Sequence, residues 1–364
     1  MSSKQSSRKW WEATMRAFSL SAFAVVALWG MGASGATGKA GANGVQVIPD
    51  AAHRKVDVLI DGKPFTSYLY PTTLKKPVLF PLRTANGTVV TRGFPPLPGE
   101  RTDHPHHVGL WFNYGNVDGI DFWNNSDAIK PENRGKMGTI EHRRIIAARS
   151  GRSKGELEVE ADWLGPDKKP MLREHTLFVF RDGAGTRSID RITTLTALDR
   201  KITFPDDKEG VLGMRVTRAL ELPGEKSGTF TDASGRQTKV AQMDNSVATG
   251  DYLTSEGKRG DAVWGTRGRW CELSGHIGKE PVSILILDHP KNPGFPTYWH
   301  ARGYGLFAAN PLGEKALSNG KEELNFSLAP HQSVTFRYRV LILSQEGSAE
   351  KAEKAYQEFI ATYK

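Results

Sequence analysis

Apolar and polar residues alternate with a period of two through much of this 364-residue chain. The stretch LEVEADW at 157–163 alternates apolar residues with carboxylates, and SVTFRYRVLIL at 333–343 repeats the pattern. A period of two places the apolar side chains on one face of a strand and the polar ones on the other. Strands are predicted on the same grounds at 56–60, 176–180, 192–198 and 282–287.

Turn residues separate the predicted strands, and Asp61-Gly62 is a strong hairpin signal. The chain has no internal repeat and no alternation of strands with helices. Helical spacing is restricted to the C-terminus, where apolar residues fall on one face after Ser348, which can cap the first turn. The sequence therefore predicts an all-β fold, a large antiparallel β-sandwich of two packed sheets with a short C-terminal helix.

The N-terminus has the layout of a cleaved secretory signal. Four basic residues precede an apolar stretch at 17–32, and small residues follow at 33–36. The apolar stretch is short for a retained membrane anchor, and no later segment is long enough to cross a bilayer. We expect a signal peptide at 1–36, a flexible linker at 37–45 and one sandwich domain at 46–364, in a periplasmic or secreted protein with no membrane span.

Charge and cysteine content narrow the class of protein. Loss of residues 1–36 removes four cations and one anion, which leaves +6 of the formal charge of +9. The basic residues are spread among acidic ones, so we expect no nucleic-acid partner. Cys271 is the one cysteine, so no intramolecular disulfide can form, and we interpret it as core filling. These features favour a large globular domain that is stabilised by burial.

Two long segments, predicted to be irregular, carry the chemistry. The first, 91–138, contains DHPHHVGLWF at 103–112, which places three of the ten histidines within five positions. The second, 288–321, begins with another Asp-His-Pro after the apolar strand VSILIL. Loops of this length in a compact domain are usually functional. We expect the two segments to meet in one cleft.

Several motifs in these segments resemble one bacterial family. They are Asp-His-x-His-His, Asp-Gly-x-Asp-Phe-Trp, Gly-Met-Arg, Asp-His-Pro, Tyr-Trp-His and Tyr-Gly-Leu-Phe-Ala-Ala-Asn-Pro. Together they resemble the family labelled PmoA, or methane oxygenase PmoA, over nearly all of the mature chain. One position departs from that pattern, since Val108 stands where the family commonly has arginine. The residues that fall on the pattern are Asp103, His104, His106, His107, Asp121, Trp123, Arg215, His289, Trp299, His300 and Arg302.

The resemblance implies a fold and a substrate class. A membrane-embedded oxygenase subunit needs several long apolar helices, which this chain lacks after its signal. Family members are similar instead to secreted or periplasmic β-sandwich proteins, with an arrangement like the supersandwich of aldose mutarotases and related carbohydrate enzymes. The resemblance therefore implies a carbohydrate-active protein, and a fold-level likeness alone does not identify its reaction.

The first interpretation of the histidine cluster is acid/base chemistry on a sugar or glycan, without a cofactor. Histidine titrates near neutral pH, so it can both accept and donate a proton in one turnover. Isomerase, lyase and hydrolase reactions all remain open. Tryptophan faces would hold the sugar ring and polar side chains its hydroxyls. The predicted catalytic residues are His106, His107, Asp121 and His289, with Asp103 as an alternative to Asp121, and the predicted substrate-binding residues are Asn113, Trp123, Arg215, Trp299, His300 and Arg302.

Two other functions and one structural role stay open. A divalent transition metal held by His104, His106 and His289 would indicate a metal-dependent oxidase or hydrolase. A non-catalytic sugar-binding protein would bind glycans without turnover. Alternatively, the clustered imidazoles bond backbone carbonyls and only hold the loop. Outside the cluster, Glu141 and His142 are interpreted as either pocket or strand-surface residues.

Overall fold

The computed structural model describes residues 43–224, 227–242 and 244–364. The predicted signal peptide at 1–36 lies outside the described residues. The described part contains twenty strands, most of them in two eight-stranded antiparallel sheets, and a C-terminal helix. The predicted all-β sandwich is confirmed.

The strands are β1 Val45–Asp50, β2 Lys55–Ile60, β3 Lys63–Leu69, β4 Val78–Leu79, β5 Leu110–Tyr114, β6 Thr139–Arg149, β7 Lys154–Leu164, β8 Pro170–Gly183, β9 Thr186–Ala197, β10 Ile202–Phe204, β11 Gly210–Arg215, β12 Gly228–Thr231, β13 Gln237–Val240, β14 Asp251–Thr254, β15 Trp270–Ile277, β16 Glu280–Asp288, β17 Tyr298–Arg302, β18 Leu306–Asn310, β19 Phe326–Leu328 and β20 Ser333–Leu343. The α-helices are α1 Glu314–Leu317 and α2 Ala349–Thr362. Short 3-10 helices span Ala51–His53, Pro131–Lys136, Arg218–Leu220 and Gly260–Val263.

The first sheet has the strand order β1-β2-β3-β4-β5-β11-β18-β17, and the second has β14-β15-β16-β20-β9-β8-β7-β6. The two small pairs are β10 with β19 and β12 with β13. Asp61 and Gly62 close the hairpin between β2 and β3, and both have positive φ, as a tight two-residue hairpin turn requires.

Side chains from the facing sides of the two sheets form the main core. The alternating strands β7 and β20 place Trp163 and Phe336 in it. On the opposite side of the second sheet, α2 packs through Tyr356 and Phe359 against strand residues that include Trp270. The Ser348 hydroxyl accepts a hydrogen bond from the Lys351 amide, as predicted for the cap of this helix.

The prediction that 288–321 is irregular is wrong, because this segment contains the hairpin of β17 and β18. Nearly all residues of these two strands are buried on both faces of the first sheet. A strand that is covered on both sides loses the apolar/polar alternation by which strands are predicted. The segment 91–138 likewise contains β5, whose five residues are all buried.

No helix among the described residues has both the length and the apolar character needed to span a membrane.

Candidate functional site

The histidine-rich segment leads directly into β5, whose side chains alternate between the two faces of the first sheet. Phe112 and Tyr114 belong to the main core, whereas Trp111 belongs to a separate apolar cluster on the outer face. Trp111 is in register with Gly213 of β11, which is in register with Ala308 of β18. The candidate site is therefore built on the outer face of the first sheet, away from the main core.

Gly213 makes room for the indoles of this cluster. A Cβ atom at Gly213 would lie 2.5 Å from Cζ2 of Trp111 and 2.9 Å from Cη2 of Trp123. Both distances are shorter than van der Waals contact allows, so any larger residue must displace an indole.

We expect Gly213→Ala to lower the free energy of unfolding by about 1–3 kcal/mol, because overpacking forces buried side chains out of their rotamers. Urea denaturation measures the loss, and near-ultraviolet circular dichroism reports the displaced indoles. Gly135→Ala is the matched control, since a Cβ there meets nothing within 4 Å. Equal stability of the two variants would contradict the close packing at Gly213.

Four aromatic rings stack on this face, and we call them the stacked column: Tyr304, His104, His107 and Trp111. The ring centroids of Tyr304 and His104 are 5.0 Å apart with 4° between the planes. His104 and His107 are 4.8 Å apart at 3°, and His107 and Trp111 are 5.0 Å apart at 18°. Because Tyr304 follows β17 and His104 precedes β5, the column joins the two long segments.

Two further rings meet the column edge-on. Trp123 lies at 79° to His107 and at 64° to Trp111, and His106 lies at 77° to His107. Edge-on and offset stacked contacts are the favoured geometries of aromatic pairs. Both indoles are fully buried. Trp123 is therefore not an open platform for a sugar ring, contrary to the prediction, because its side chain is buried beside His107 and Trp111.

Arg92 holds the backbone of the histidine segment. It is buried, and its Nη2 donates to the carbonyl oxygens of His104 and His107, each at 3.0 Å. Its Nη1 donates to the Asp103 carbonyl at 2.6 Å. The backbone of His104 has a φ of 47°, in the left-handed region that non-glycine residues rarely adopt. One guanidinium thus fixes the turn that brings His104 and His107 into parallel stacking.

Asp103 links the column to a second buried cation. Arg215 of β11 is fully buried, and its Nη2 donates to Asp103 Oδ1 at 2.6 Å. The other carboxylate oxygen, Oδ2, lies 2.9 Å from Nδ1 of His104. Burial opposes ionisation, but the contact with His104 and the charges of Arg215 and Arg92 outweigh it and hold the pKa of Asp103 well below its usual range.

The pKa values of the buried His107 and the half-buried His106 both favour the neutral imidazole. Burial, together with nearby cations including Lys76, lowers the pKa of His106 to about 2. Burial and the neighbouring His106 and Arg215 lower the pKa of His107 well below its usual range. Among the described residues, Nε2 of His106 and both ring nitrogens of His107 have no hydrogen-bond partner. Such nitrogens carry unused hydrogen-bonding capacity, which is costly unless a ligand or water meets it.

Lys76 completes the site, and the sequence prediction missed it. Its side chain is 4% exposed, its Nζ donates to the His106 carbonyl at 2.8 Å, and Nζ lies 5.4 Å from the Trp111 ring centroid. Burial lowers the pKa of Lys76 to about 7, although Asp121 opposes the shift. A lysine that precedes a short strand gives no periodic or motif signal, so only the folded structure reveals the role of Lys76.

A cleft of about 270 Å³ opens beside this lysine, and we call it the first pocket. Its walls are formed by residues 73–76, 78, 105, 106, 108 and 125–128, so Lys76 and His106 both line it. Phe94, 45% exposed, stands at its rim. The lining is mainly apolar with a few polar groups, which is typical of small-molecule sites.

Two predicted site residues have local bonding roles. Asn113 is fully buried on β5, and its side-chain amide donates to the Phe122 carbonyl at 2.6 Å. The Asp121 carboxylate accepts from the backbone amides of Trp123 and Asn124 at 2.8 and 2.9 Å, which closes a tight turn. Asp121 is nevertheless close enough to favour the charged form of Lys76. Its influence on the site is therefore electrostatic.

His300 and Arg302 lie on β17, at the far edge of the first sheet. His300 is in register with Ala308 and is bonded through Nδ1 to the Lys208 carbonyl. The guanidinium of Arg302 lies 5.1 Å from the ring centroid of Trp264. These contacts place both residues beyond β18, apart from the walls of the first pocket.

His289 and Trp299 are not brought into this site. His289 directly follows the second-sheet strand β16, where its Nδ1 accepts from the Lys291 amide and its ring packs edge-on against Phe359 of α2 at 5.3 Å. Trp299 points into the main core and packs on Phe307. The expected meeting of the two long segments is thus made by Tyr304 and not by His289, because β16 and β17 belong to different sheets.

The alternative metal set of His104, His106 and His289 is not assembled. In the part of the chain that the structure describes, no group of three histidine, cysteine, aspartate or glutamate side chains is arranged to hold a metal ion. His104 and His106 are neighbours, with ring centroids 5.6 Å apart, but His289 packs on α2.

Comparison with known proteins identifies a family. Residues 55–357 match the model described as a family of unknown function, DUF6807. The resemblance to the family labelled PmoA is therefore wrong, since DUF6807 is the family whose model matches. No curated protein matches the sequence.

Solved structures of similar fold come from several bacteria. The Slr1438 protein from Synechocystis sp. PCC 6803 is 9% identical with a TM-score of 0.39, covering 83% of this chain and 96% of its own. A putative aldose 1-epimerase from Escherichia coli K12 is 9% identical with a TM-score of 0.34, covering 83% and 99%. A galactose mutarotase-like protein from Clostridium acetobutylicum is 9% identical with a TM-score of 0.40, covering 83% and 98%. At this identity the likeness concerns the fold alone.

Proposed function

This chain belongs to the DUF6807 family, whose function is unknown, and we propose that it binds a sugar in the first pocket and transfers a proton on it through Lys76. One observation carries the proposal. Lys76, which carries a buried amine, and His106, whose Nε2 has no hydrogen-bond partner among the described residues, line the same cleft.

Lys76 is the group suited to proton transfer. A catalytic acid or base works best when its pKa lies near the working pH, and the pKa of Lys76 is lowered to about 7 by burial. His106, with a pKa of about 2, is a weak base. It serves instead as a neutral hydrogen-bonding group toward the substrate, as a histidine with a strongly lowered pKa can. His107 holds the column and does not line the pocket.

The walls of the first pocket suit a sugar. Asn125, Ser126 and Asp127 line one side with groups that bond hydroxyls, and Lys75 is held by Asp127 at 2.6 Å. Phe94 offers an exposed aromatic ring at the rim. A few polar groups on a mainly apolar wall fix the orientation of a small molecule. The predicted export signal at 1–36 belongs to the same proposal, since it would deliver this activity to the periplasm or the medium.

The proposed step is proton removal from the carbon next to the carbonyl of an open-chain sugar. The neutral Lys76 amine accepts the proton, the electron pair moves to the carbonyl oxygen, and an enediolate forms. The ammonium then returns the proton to the same carbon, which gives epimerisation, or to the former carbonyl carbon while the hydroxyl proton passes from the neighbouring oxygen to the enolate oxygen, which gives isomerisation. The enzyme is unchanged after the cycle, and no co-reactant is needed.

Deuterium exchange tests this proposal. We expect the protein in D2O to exchange the carbon-bound hydrogen of at least one sugar in a panel of reducing sugars and uronic acids, followed by proton nuclear magnetic resonance. Lys76→Met should slow the exchange at least about 100-fold, the lower range for loss of a general base. The rate should rise as pH increases through about 7, because only the unprotonated amine accepts a proton.

Lys63→Met is the matched control, because Lys63 is an exposed lysine on β3. The Lys63→Met variant should exchange the carbon-bound hydrogen of the sugar at the same rate as the unchanged protein. Sugar binding without deuterium exchange would contradict the proposed proton transfer and indicate a non-catalytic sugar-binding protein. Absence of both binding and exchange across the panel would overturn the whole proposal.

A further inference from the structure

The first pocket is one of three that adjoin each other. A second pocket of about 100 Å³ shares Leu74 and Lys76 with the first. A third, of about 360 Å³, shares Asn125 with the first and Thr139 and Glu141 with the second. Since each pair of pockets has common wall residues, the three lie side by side, and we call them together the groove.

Cations outnumber anions along the groove. The carboxylates of the groove are paired already. In the third pocket Glu141 lies 3.8 Å from Lys168, and in the first pocket Asp127 pairs with Lys75. Arg134 of the third pocket is exposed and forms no ion pair with a carboxylate among the described residues. Its Nε donates to a backbone carbonyl, which leaves the terminal guanidinium nitrogens for another partner.

The second pocket contributes another such arginine. Arg54 donates through Nε to the Tyr70 carbonyl at 2.9 Å, and its guanidinium lies 5.3 Å from the centroid of the Tyr70 ring. The Tyr70 ring packs in turn on His142, with 4.0 Å between centroids. Arg54 is thus held in place by a carbonyl and a ring, with no carboxylate paired to it in the described part of the chain.

Guanidinium groups that have no paired carboxylate, such as those of Arg54 and Arg134, are suited to binding the carboxylate of a ligand. The planar fork of arginine binds a carboxylate through two parallel hydrogen bonds, and an ordered guanidinium loses little entropy on binding. A neutral sugar would leave these charges unmatched. A chain of uronic acid units, in contrast, would supply a carboxylate at each successive position.

We propose that the groove binds an acidic oligosaccharide, with one sugar unit in each pocket and uronate carboxylates at Arg54 and Arg134. This inference rests on the proposed function, because it extends the sugar in the first pocket along the chain of which it is a part. Lys76 lines both the first and the second pocket. The reacting unit in the first pocket would be the reducing end, the one unit that can open to a carbonyl, and the next units of the chain would occupy the neighbouring pockets.

Binding of graded acidic oligosaccharides tests the inference. Isothermal titration calorimetry would compare monomers and trimers of galacturonate and mannuronate, each beside its neutral methyl ester. We expect at least one trimer to bind about tenfold more tightly than its monomer, and methyl esterification to abolish this gain. Arg54→Gln and Arg134→Gln should each lower the ratio of trimer to monomer affinity several-fold. Arg152→Gln, which alters an exposed arginine away from the groove, should leave the ratio unchanged.

The outcomes separate the two proposals. Monomer binding and deuterium exchange without any gain for trimers would overturn the groove and leave the proposed function standing. A methyl ester that binds as well as its acid would overturn the role of the two arginines. Tighter binding of a single-stranded oligonucleotide than of every uronate trimer would overturn the substrate class.

Discussion

Replacing Asp103 by alanine is expected to lower the free energy of unfolding by about 3–5 kcal/mol, the usual cost of removing one partner from a buried ion pair. Asp103 is bonded to two buried guanidinium groups, those of Arg92 and Arg215. The two cations repel each other, and burial together with Arg215 lowers the pKa of Arg92 to about 10. Without the carboxylate, both charges stay buried beside one another. Urea denaturation of the two proteins at pH 7 measures the loss.

The charge of Asp103, and not only its shape, should account for the loss. Asp103→Asn keeps a hydrogen-bond acceptor and is expected to lose most of the same stability. Asp127→Ala is the matched control, because its pair with Lys75 is largely exposed and such pairs contribute at most about 1 kcal/mol. A loss in Asp103→Ala no greater than in Asp127→Ala would show that the two arginines do not depend on this carboxylate.

The same carboxylate predicts an acid dependence. The folded-state pKa of Asp103 is lowered, so its contribution to stability is present above the unfolded pKa of about 4. That contribution is lost as pH falls toward the folded value. The unchanged protein should therefore lose stability between pH 5 and 2 more steeply than Asp103→Asn, which has no such group to protonate.

The period-two pattern predicted the sandwich because most strands have one face in the core and one in water. It failed for β17 and β18, whose residues are covered on both sides. The same alternation shows why Trp299 and His300 could not both belong to one site. Adjacent residues of a strand project to opposite faces, so Trp299 entered the core while His300 took the outer face.

A single sequence does not reveal which of the two sheets each strand joins, and this decides which residues meet at the site. The repeated Asp-His-Pro word suggested that His289 joins His106, but β16 lies in the second sheet and β5 in the first. The cluster of histidines in the sequence did point to the stacked column, since His104 and His107 are two of its four rings. Its fourth ring, Tyr304, comes from the turn between β17 and β18, and that hairpin was not predicted.

Lys76 could not be predicted because its properties arise from burial alone. Its neighbour Lys75 has the same sequence context, yet Lys75 pairs with the exposed Asp127 whereas Lys76 lies under the His106 carbonyl and beside Trp111. Burial of the ammonium lowers its pKa and also costs stability. The lysine is therefore expected to destabilise the fold at the place where we propose that it transfers a proton, a trade-off that functional sites often show.

Lys76→Met is accordingly expected to raise the free energy of unfolding at pH 6 by on the order of 4 kcal/mol. The folded pKa of Lys76 is about 7, whereas the unfolded value is about 10.4. The penalty of the buried ammonium is fully present below pH 7 and disappears as pH rises toward the unfolded value. Methionine has a similar length and needs no hydrogen bond, so it removes the penalty at every pH.

The gain of Lys76→Met over the unchanged protein should therefore shrink steadily between pH 7 and 10. Guanidinium denaturation at pH 6, 8 and 10 measures this difference, and Lys63→Met serves as the exposed control with no gain at any pH. A gain that is the same at pH 6 and 10 would mean that Lys76 is not destabilised as an ammonium in the folded protein. The amine would then be protonated at neutral pH, and its role as the base in the first pocket would fail with it.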